Sequence, residues 1–226
     1  MKLVIFNGSP KKSDSNNTNT LIRNFSEGFL KTAGNEVAVY KLNNFDSLDE
    51  AVDLFSKAEY ILFAFPMYNF SIPVGTLDFI YKLQPFANAC SDKKIGFMVQ
   101  YGYLEAGHAR PLEKYLEYLV QLFSAKYLGT IIRGGGDSLT IRPELEHNIK
   151  LCMGIKQIGQ LFGEKGWLEK DVLKSYSKPE NQLEISFSNK IKMRMFIHRM
   201  NKNYWMKRLL KNGVSREQSF VRPYEH

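Results

Sequence analysis

Short apolar runs alternate with helical patterns along most of this chain, and that alternation restricts its fold more than any other feature. The runs cover residues 3–6, 36–40, 60–65, 94–100 and 127–132. Most are continuously apolar rather than alternating polar and apolar, the signature of parallel strands covered by helices on both faces. Between them the spacing predicts helices over 18–32, 48–57, 74–83, 112–125 and 144–162. Gly34 stands where a C-cap is expected, and Pro143 stands at a first-turn position. Strands alternating with helices specify an α/β doubly wound sheet.

The loop after the first run narrows this further. Asn7-Gly8-Ser9-Pro10 leads through Lys11, Lys12, Ser13 and Ser15 to Asn16-Asn17-Thr18 and the apolar Leu21. A strand, a loop of hydroxyls and amides, and a helix start make an anion-binding device, because backbone N–H groups and the positive end of the helix dipole face the ligand. A phosphate monoester fits that cradle. The same residues also suit an N-cap run with solvated lysines. The loop lacks GxxxxGK[ST] and GxGxxG, which speaks against kinase, NTPase and dinucleotide-dehydrogenase readings. With five strands and the ligand loop after the first, the flavodoxin-like order is expected over the six-stranded dinucleotide fold.

Two more strand ends carry candidate chemistry. Pro66-Met67-Tyr68-Asn69-Phe70-Ser71-Ile72-Pro73 follows the third strand, where open α/β sheets bind ligands. Tyr68 and Phe70 suit a planar ring and Asn69 its polar edge, although loop aromatics also serve packing. Gln100-Tyr101-Gly102-Tyr103-Leu104-Glu105-Ala106-Gly107-His108 follows the fourth, with Gly102 and Gly107 permitting close backbone approach. His108 reads either as a ligand contact or as a surface histidine.

The three loops together resemble those of the NADPH-dependent FMN reductase and flavodoxin-like NAD(P)H quinone reductase family. Gly8-Ser9-Pro10-Lys11 with Asn17-Thr18 and Leu21, and Pro66 to Phe70 with Ile72-Pro73, carry the likeness. The second segment is similar to that of azoreductase-like members. The resemblance spans roughly residues 1–165 and implies FMN as cofactor and NAD(P)H as electron donor. It implies that Ser9, Lys11, Asn17 and Thr18 hold the FMN phosphate. Pro66, Met67, Tyr68, Asn69 and Phe70 would border the isoalloxazine, with Gln100, Tyr101, Gly102 and Tyr103 along its other edge. The implied reaction passes hydride through the flavin to a quinone, azo, nitro or flavin acceptor, with no obligatory nucleophile. Tyr68, Tyr103 and His108 are candidate proton or hydrogen-bond donors. Members often complete the pocket across a subunit interface, so the resemblance also implies a homodimer. Tyr103 departs from the glycine-rich pattern that members often show after Gly102, and the clustered cysteines of iron–sulfur relatives are missing. A flavodoxin-type electron carrier, or a flavin-binding interaction or sensor protein with a basic tail, are the competing readings.

Bulk composition agrees with a folded domain: 226 residues, 44% hydrophobic and 13% aromatic. Cys90 and Cys152 form no CxxC or Cys/His cluster, so a reduced cytoplasmic location without zinc or iron–sulfur is expected. No signal-peptide pattern opens the chain and no apolar run reaches spanning length. The charge is unevenly distributed. Of 31 Lys and Arg and 23 Asp and Glu, ten basic and two acidic residues fall in 187–226, which leaves 21 of each elsewhere. The body is neutral and the tail holds the net charge of +8. A cofactor-binding domain over 1–165 and a basic helical extension over 166–226 are expected. Within the extension 189–211 reads as a helix, with Met193, Phe196, Ile197, Met200 and Tyr204 on one face. It can pack on the body or a second subunit, lie on an anionic membrane or touch nucleic acid, or cover the site. Among these alternatives no nucleic-acid partner is expected.

Overall fold

The computed structural model describes residues 1–185, 187–200, 202 and 205–221, without the side chains of Asp137, Leu183, Met193, Phe196 and Met200. Two compact units result, Met1–Asn181 and Gln182–His226.

In the first unit, β1 (Lys2–Asn7), β2 (Glu36–Lys41), β3 (Tyr60–Pro66), β4 (Lys94–Gln100) and β5 (Lys126–Arg133) form one parallel sheet in the order β2-β1-β3-β4-β5. This is the flavodoxin-like order, with its switch point between β1 and β3. Successive strand residues face opposite sides. Leu3 and Ile5, Leu62 and Ala64, and Met98 therefore join α1 (Asn17–Phe29) and α5 (Glu146–Lys165) in one apolar layer. Phe6, Phe63, Phe65, Phe97 and Val99 join α2 (Leu48–Lys57), α3 (Val74–Lys82) and α4 (Arg110–Leu122) in the other. Phe6, Phe63 and Phe97 are register partners across three strands, with ring centroids 5.5 and 5.6 Å apart. Such cross-strand aromatic pairs stabilise the sheet beyond their buried area.

α1 and α5 approach closely because glycines face each other's backbone. A Cβ on Gly28 would meet the Lys156 carbonyl at 1.9 Å, and one on Gly159 the Phe25 carbonyl at 2.0 Å. The helix carrying the first loop's cap is thus held against α5. A sixth helix, α6 (Lys170–Ser177), lies against β5, with Leu173 and Tyr176 joining the α1/α5 layer.

Helix ends shift from their sequence positions for local reasons. α1 stops at Phe29, and Gly34 takes its left-handed conformation in the following turn. α4 starts at Arg110 because the 3-10 turn Ala106–Ala109 feeds it, and Pro111 occupies its first turn. α5 starts at Glu146, after Asn148 has drawn the preceding loop in through its amide, which donates to the Ser138 and Arg142 carbonyls.

In the second unit, α7 (Phe187–Met200) and α8 (Met206–Lys211) occupy the region expected as one basic helix. Of the expected apolar face, Ile197 is exposed; the side chains of Met193, Phe196 and Met200, and all of Tyr204, lie outside the described residues. Among the described residues no helix is long and apolar enough to cross a membrane.

Candidate cofactor site

Every strand delivers its C-terminal end to the same edge of the sheet, and the loops after β1, β3 and β4 meet there around a cavity of about 330 Å³. The first loop is built by its own polar side chains. The Asn7 carboxamide accepts the Ser9 N–H at 2.9 Å and donates to Asn19. Asn16 caps α1 by accepting the Asn19 N–H at 2.9 Å, while its own amide donates to the Ser13 carbonyl at 2.7 Å. That leaves the Asn17 and Thr18 N–H groups, in the first turn, uncommitted to the helix. No acidic residue lies in that turn, and Asp14, just before the cap, is paired with Lys41. The positive helix end is therefore not neutralised from within α1.

Gly8 has no room for a side chain. A Cβ there would sit 1.9 Å from the Thr76 hydroxyl oxygen, which itself donates to the Gly8 carbonyl at 3.3 Å. Thr76 is buried on α3, so the loop after β1 is clamped by the helix after β3.

The loop after β3 turns sharply. Tyr68 and Ser71 exchange backbone hydrogen bonds of 3.2 and 2.9 Å around Asn69 and Phe70, both at positive φ (47° and 60°). Asn tolerates that region, whereas a bulky Phe there is strained. The loop after β4 is fixed from two sides. Gly135 and Gly136, after β5, donate to the Tyr103 and Tyr101 carbonyls at 2.7 and 3.1 Å. A Cβ on Gly134 would meet the Tyr103 carbonyl at 2.2 Å. On the other side Ala106 and Gly107 donate to the Pro179 and Glu180 carbonyls at 2.8 and 2.9 Å. Glu180 is held by a two-point pairing with Arg110, at 2.9 and 2.8 Å, and Arg110 also donates to Glu113 and Ser177.

Of the residues singled out in sequence, Ser9, Lys11, Asn17, Thr18, Pro66, Met67, Tyr68, Gln100, Tyr101 and Gly102 line this one cavity, and Asn16 joins them. Asn69, Phe70, Tyr103 and His108 are not part of the lining. Phe70 and Tyr103 are near-parallel at 6.5 Å, and His108 lies 4.7 Å from the Tyr103 ring and 5.8 Å from Phe70, so the three make a separate aromatic cluster. Gln100 is more than nine-tenths buried, and among the described residues its Oε1 has no hydrogen-bond partner. A buried acceptor without a donor is costly, and this one lies on the Gly136 side of Gln100, while the residue as a whole lines the cavity. Tyr101 donates its hydroxyl to the Glu105 carbonyl at 2.9 Å, and burial pushes its pKa up, so it stays neutral.

Two contributors escape sequence reading. The glycine run 134–136 at the end of β5 is a visible signal of close backbone approach. The segment around Pro179 offers no local signal of its pairing with Gly107. Two arginines next to these loops, Arg110 and Arg133, both have partners within the chain. Arg110 is occupied by Glu180 and Glu113, and Arg133 donates to the Tyr176 carbonyl at 2.7 Å, with burial pulling its pKa down.

Among solved structures the chain resembles an azoreductase from Bacillus anthracis str. Sterne (17% identity, TM-score 0.55), covering 71% of this chain and 99% of that one. It also resembles an NAD(P)H:quinone oxidoreductase from Methanothermobacter marburgensis (17%, TM-score 0.56; 71% and 96% covered). An FMN-dependent NADH-azoreductase from Bacillus anthracis str. Ames Ancestor, solved in complex with FMN, is similar at 13% identity and TM-score 0.50 (80% and 100% covered). No curated protein matches the sequence. Residues 1–142, which contain all three cavity-lining loops, match the family described as having a flavodoxin-like fold, and the chain belongs to that family.

Proposed function

We propose that this protein is an FMN-dependent NAD(P)H oxidoreductase acting on a small quinone, azo, nitro or flavin acceptor. One observation carries the reading. A helix N-terminus without acidic neutralisation and a strand-end loop with an aromatic open on one cavity, whose wall also includes the largely buried Gln100. That donor set fits a phosphate monoester attached to a ring with polar edges. The similar proteins of known structure are azoreductases and a quinone oxidoreductase, one of them in complex with FMN, which supports the same reading.

Bound FMN would supply hydride acceptance from nicotinamide and delivery to the acceptor. The residues' tasks are binding and orientation. Ser9, Lys11, Asn17 and Thr18 hold the phosphate at the end of α1. Pro66, Met67 and Tyr68 border the ring, Asn69 and Phe70 shape the turn beside it, and the Gln100 amide hydrogen-bonds a polar edge of the ligand. Tyr101 and Gly102 line the other wall. Tyr103, Phe70 and His108 form an exposed aromatic ledge that receives the acceptor, and Tyr68, Tyr103 and His108 are the donors within reach of it. A homodimer fits the exposed apolar ridge of Tyr115, Tyr118 and Leu122 on α4, spaced to share one helix face. The flavin-binding part is taken as 1–165, and the two free thiols suit a reduced cytoplasm.

Titration of the purified protein with FMN, followed by anaerobic NADPH or NADH, tests the reading. Saturable binding and full two-electron bleaching by nicotinamide are expected. Gln100→Leu should weaken FMN by about tenfold, the loss of one hydrogen bond, while leaving thermal stability intact. Failure to bind FMN overturns the cofactor. Binding without any response to nicotinamide overturns the enzyme and favours an electron carrier.

A further inference from the structure

We propose that the C-terminal unit, Gln182–His226, is a docking surface for an anionic lipid bilayer. The inference goes beyond the flavin reading and does not rest on it.

The unit combines exposed apolar and cationic groups on the same helices. In α7, Phe187, Ile191 and Met195 follow at four-residue spacing and so form one ridge along the helix. All three are exposed, Phe187 at 78% and Met195 at 69%. At 100° per residue, Lys190 and Arg194 fall along one side of that ridge, and Lys192 and Arg199 along the other. All four cations are exposed. α8 repeats the composition, with exposed Leu210 beside Lys207 and Lys211. Exposed apolar groups on this ridge, and Ile197 away from it, interleave with long cationic side chains; such a mixture matches a bilayer surface, where apolar groups enter the acyl boundary and the cations reach back to headgroups.

Charge selects the occupant. No acidic residue occurs between Glu184 and Glu217, and residues 187–226 hold ten Lys and Arg against two Asp and Glu. A second copy of this unit would bring a like charge, and the rest of the chain is neutral, so neither complements it. A nucleic acid would satisfy the cations and leave the Phe187, Ile191 and Met195 ridge in water. A surface of anionic phospholipid satisfies both.

The test is co-sedimentation of the full chain with vesicles of phosphatidylcholine and with vesicles of phosphatidylcholine mixed with phosphatidylglycerol. The bound fraction should rise by at least about tenfold on the anionic vesicles, since each juxtamembrane cation adds to affinity, and should fall as salt screens the contact. Replacing Lys190, Lys192, Arg194 and Arg199 by Gln should abolish the preference. The variant F187S/I191S/M195S should weaken binding with all charges kept. Circular dichroism and FMN titration on the same samples separate a folding defect from lost docking, and report on the flavin reading independently. Equal retention on neutral vesicles overturns the proposal. So does absence from both vesicles, or capture by RNA without capture by anionic vesicles.

Discussion

The loops after β1 and β3 border the same cavity on opposite physical terms. The first is over-determined: Asn7 and Asn16 use their side chains to tie the loop to α1, and Thr76 clamps it from α3. The second carries strain and exposure. Phe70 sits at φ 60°, more than half exposed, in a turn closed by two backbone hydrogen bonds. A loop whose donors are fixed before a ligand arrives loses little entropy on binding and suits an anchor. A strained, exposed aromatic turn is where a structure spends stability on contact with a partner molecule. The anchor and the acceptor face are therefore separable by mutation.

The largest effect is expected at the anchor. Gly8→Ala puts a methyl group 1.9 Å from the Thr76 hydroxyl, inside a buried clamp. Overpacking of this kind costs about 1–3 kcal/mol, and the displaced loop should weaken FMN by roughly tenfold to a hundredfold. Thr76→Ala in the same chain removes the hydroxyl and leaves only the Cβ at 3.0 Å, so the double variant should recover much of the loss. A double-mutant cycle by thermal melting and FMN titration measures that coupling. Additive losses would show that Gly8 matters for some other reason.

The wall after β4 should respond less. Arg110 and Glu180 are each about one-third exposed, so screening limits their pairing to about 1 kcal/mol. The hydrogen bonds from Arg110 hold the Glu180 carboxyl below its ordinary value of 4.5. Its contribution is therefore fully present above that value and lost as pH falls through the lower folded-state value. Glu180→Gln should lower the melting temperature by roughly 2–4 °C near neutrality. The difference from the parent should shrink in acid, where the parent loses the same interaction. No difference at any pH would mean that Glu180 acts through its backbone contact with Gly107 alone.

What was legible in the sequence follows the range of the interactions. The strands were readable because both sheet faces are buried, which forces continuous apolar runs such as 60–65 and 94–100. The start of α1 was readable because Asn16 is a local cap. Contacts between distant segments leave no periodic trace: Arg110 and Glu180 lie seventy residues apart, and the Ala106 and Gly107 pairing with 179–180 is made by backbone groups. The start of α5 moved because Asn148, within the helix, reorganises the loop before it. Proline at 143 marks a turn equally well in either register. For the site, the hydroxyls and amides of the first loop pointed to lining residues such as Ser9 and Thr18, whereas Gln100 was placed at the ligand only through the family resemblance. Residue types did not separate Phe70 and Tyr103 from that lining, because an aromatic facing a cofactor and one facing a neighbouring aromatic read alike.

The smallest effect, and the one that sharpens the contrast most, is expected at the strained turn. Phe70→Asn replaces a bulky residue in the left-handed region by one that tolerates it, which recovers about 1 kcal/mol of backbone strain. Phe70 is more than half exposed, so its removal forfeits little burial to set against that gain. Urea denaturation should show an unchanged or slightly raised midpoint with an unchanged slope. FMN affinity should hold, because the anchor residues are untouched, while the aromatic ledge shared with Tyr103 and His108 loses one of its three rings. The KM for an aromatic acceptor should then rise several-fold, with hydride uptake from nicotinamide unchanged. A variant that is destabilised instead would mean that the Phe70–Tyr103 contact outweighs the strain, making this turn a structural element like the loop after β1. Loss of FMN binding at full stability would place Phe70 in the anchor, and the division between the two loops would fail.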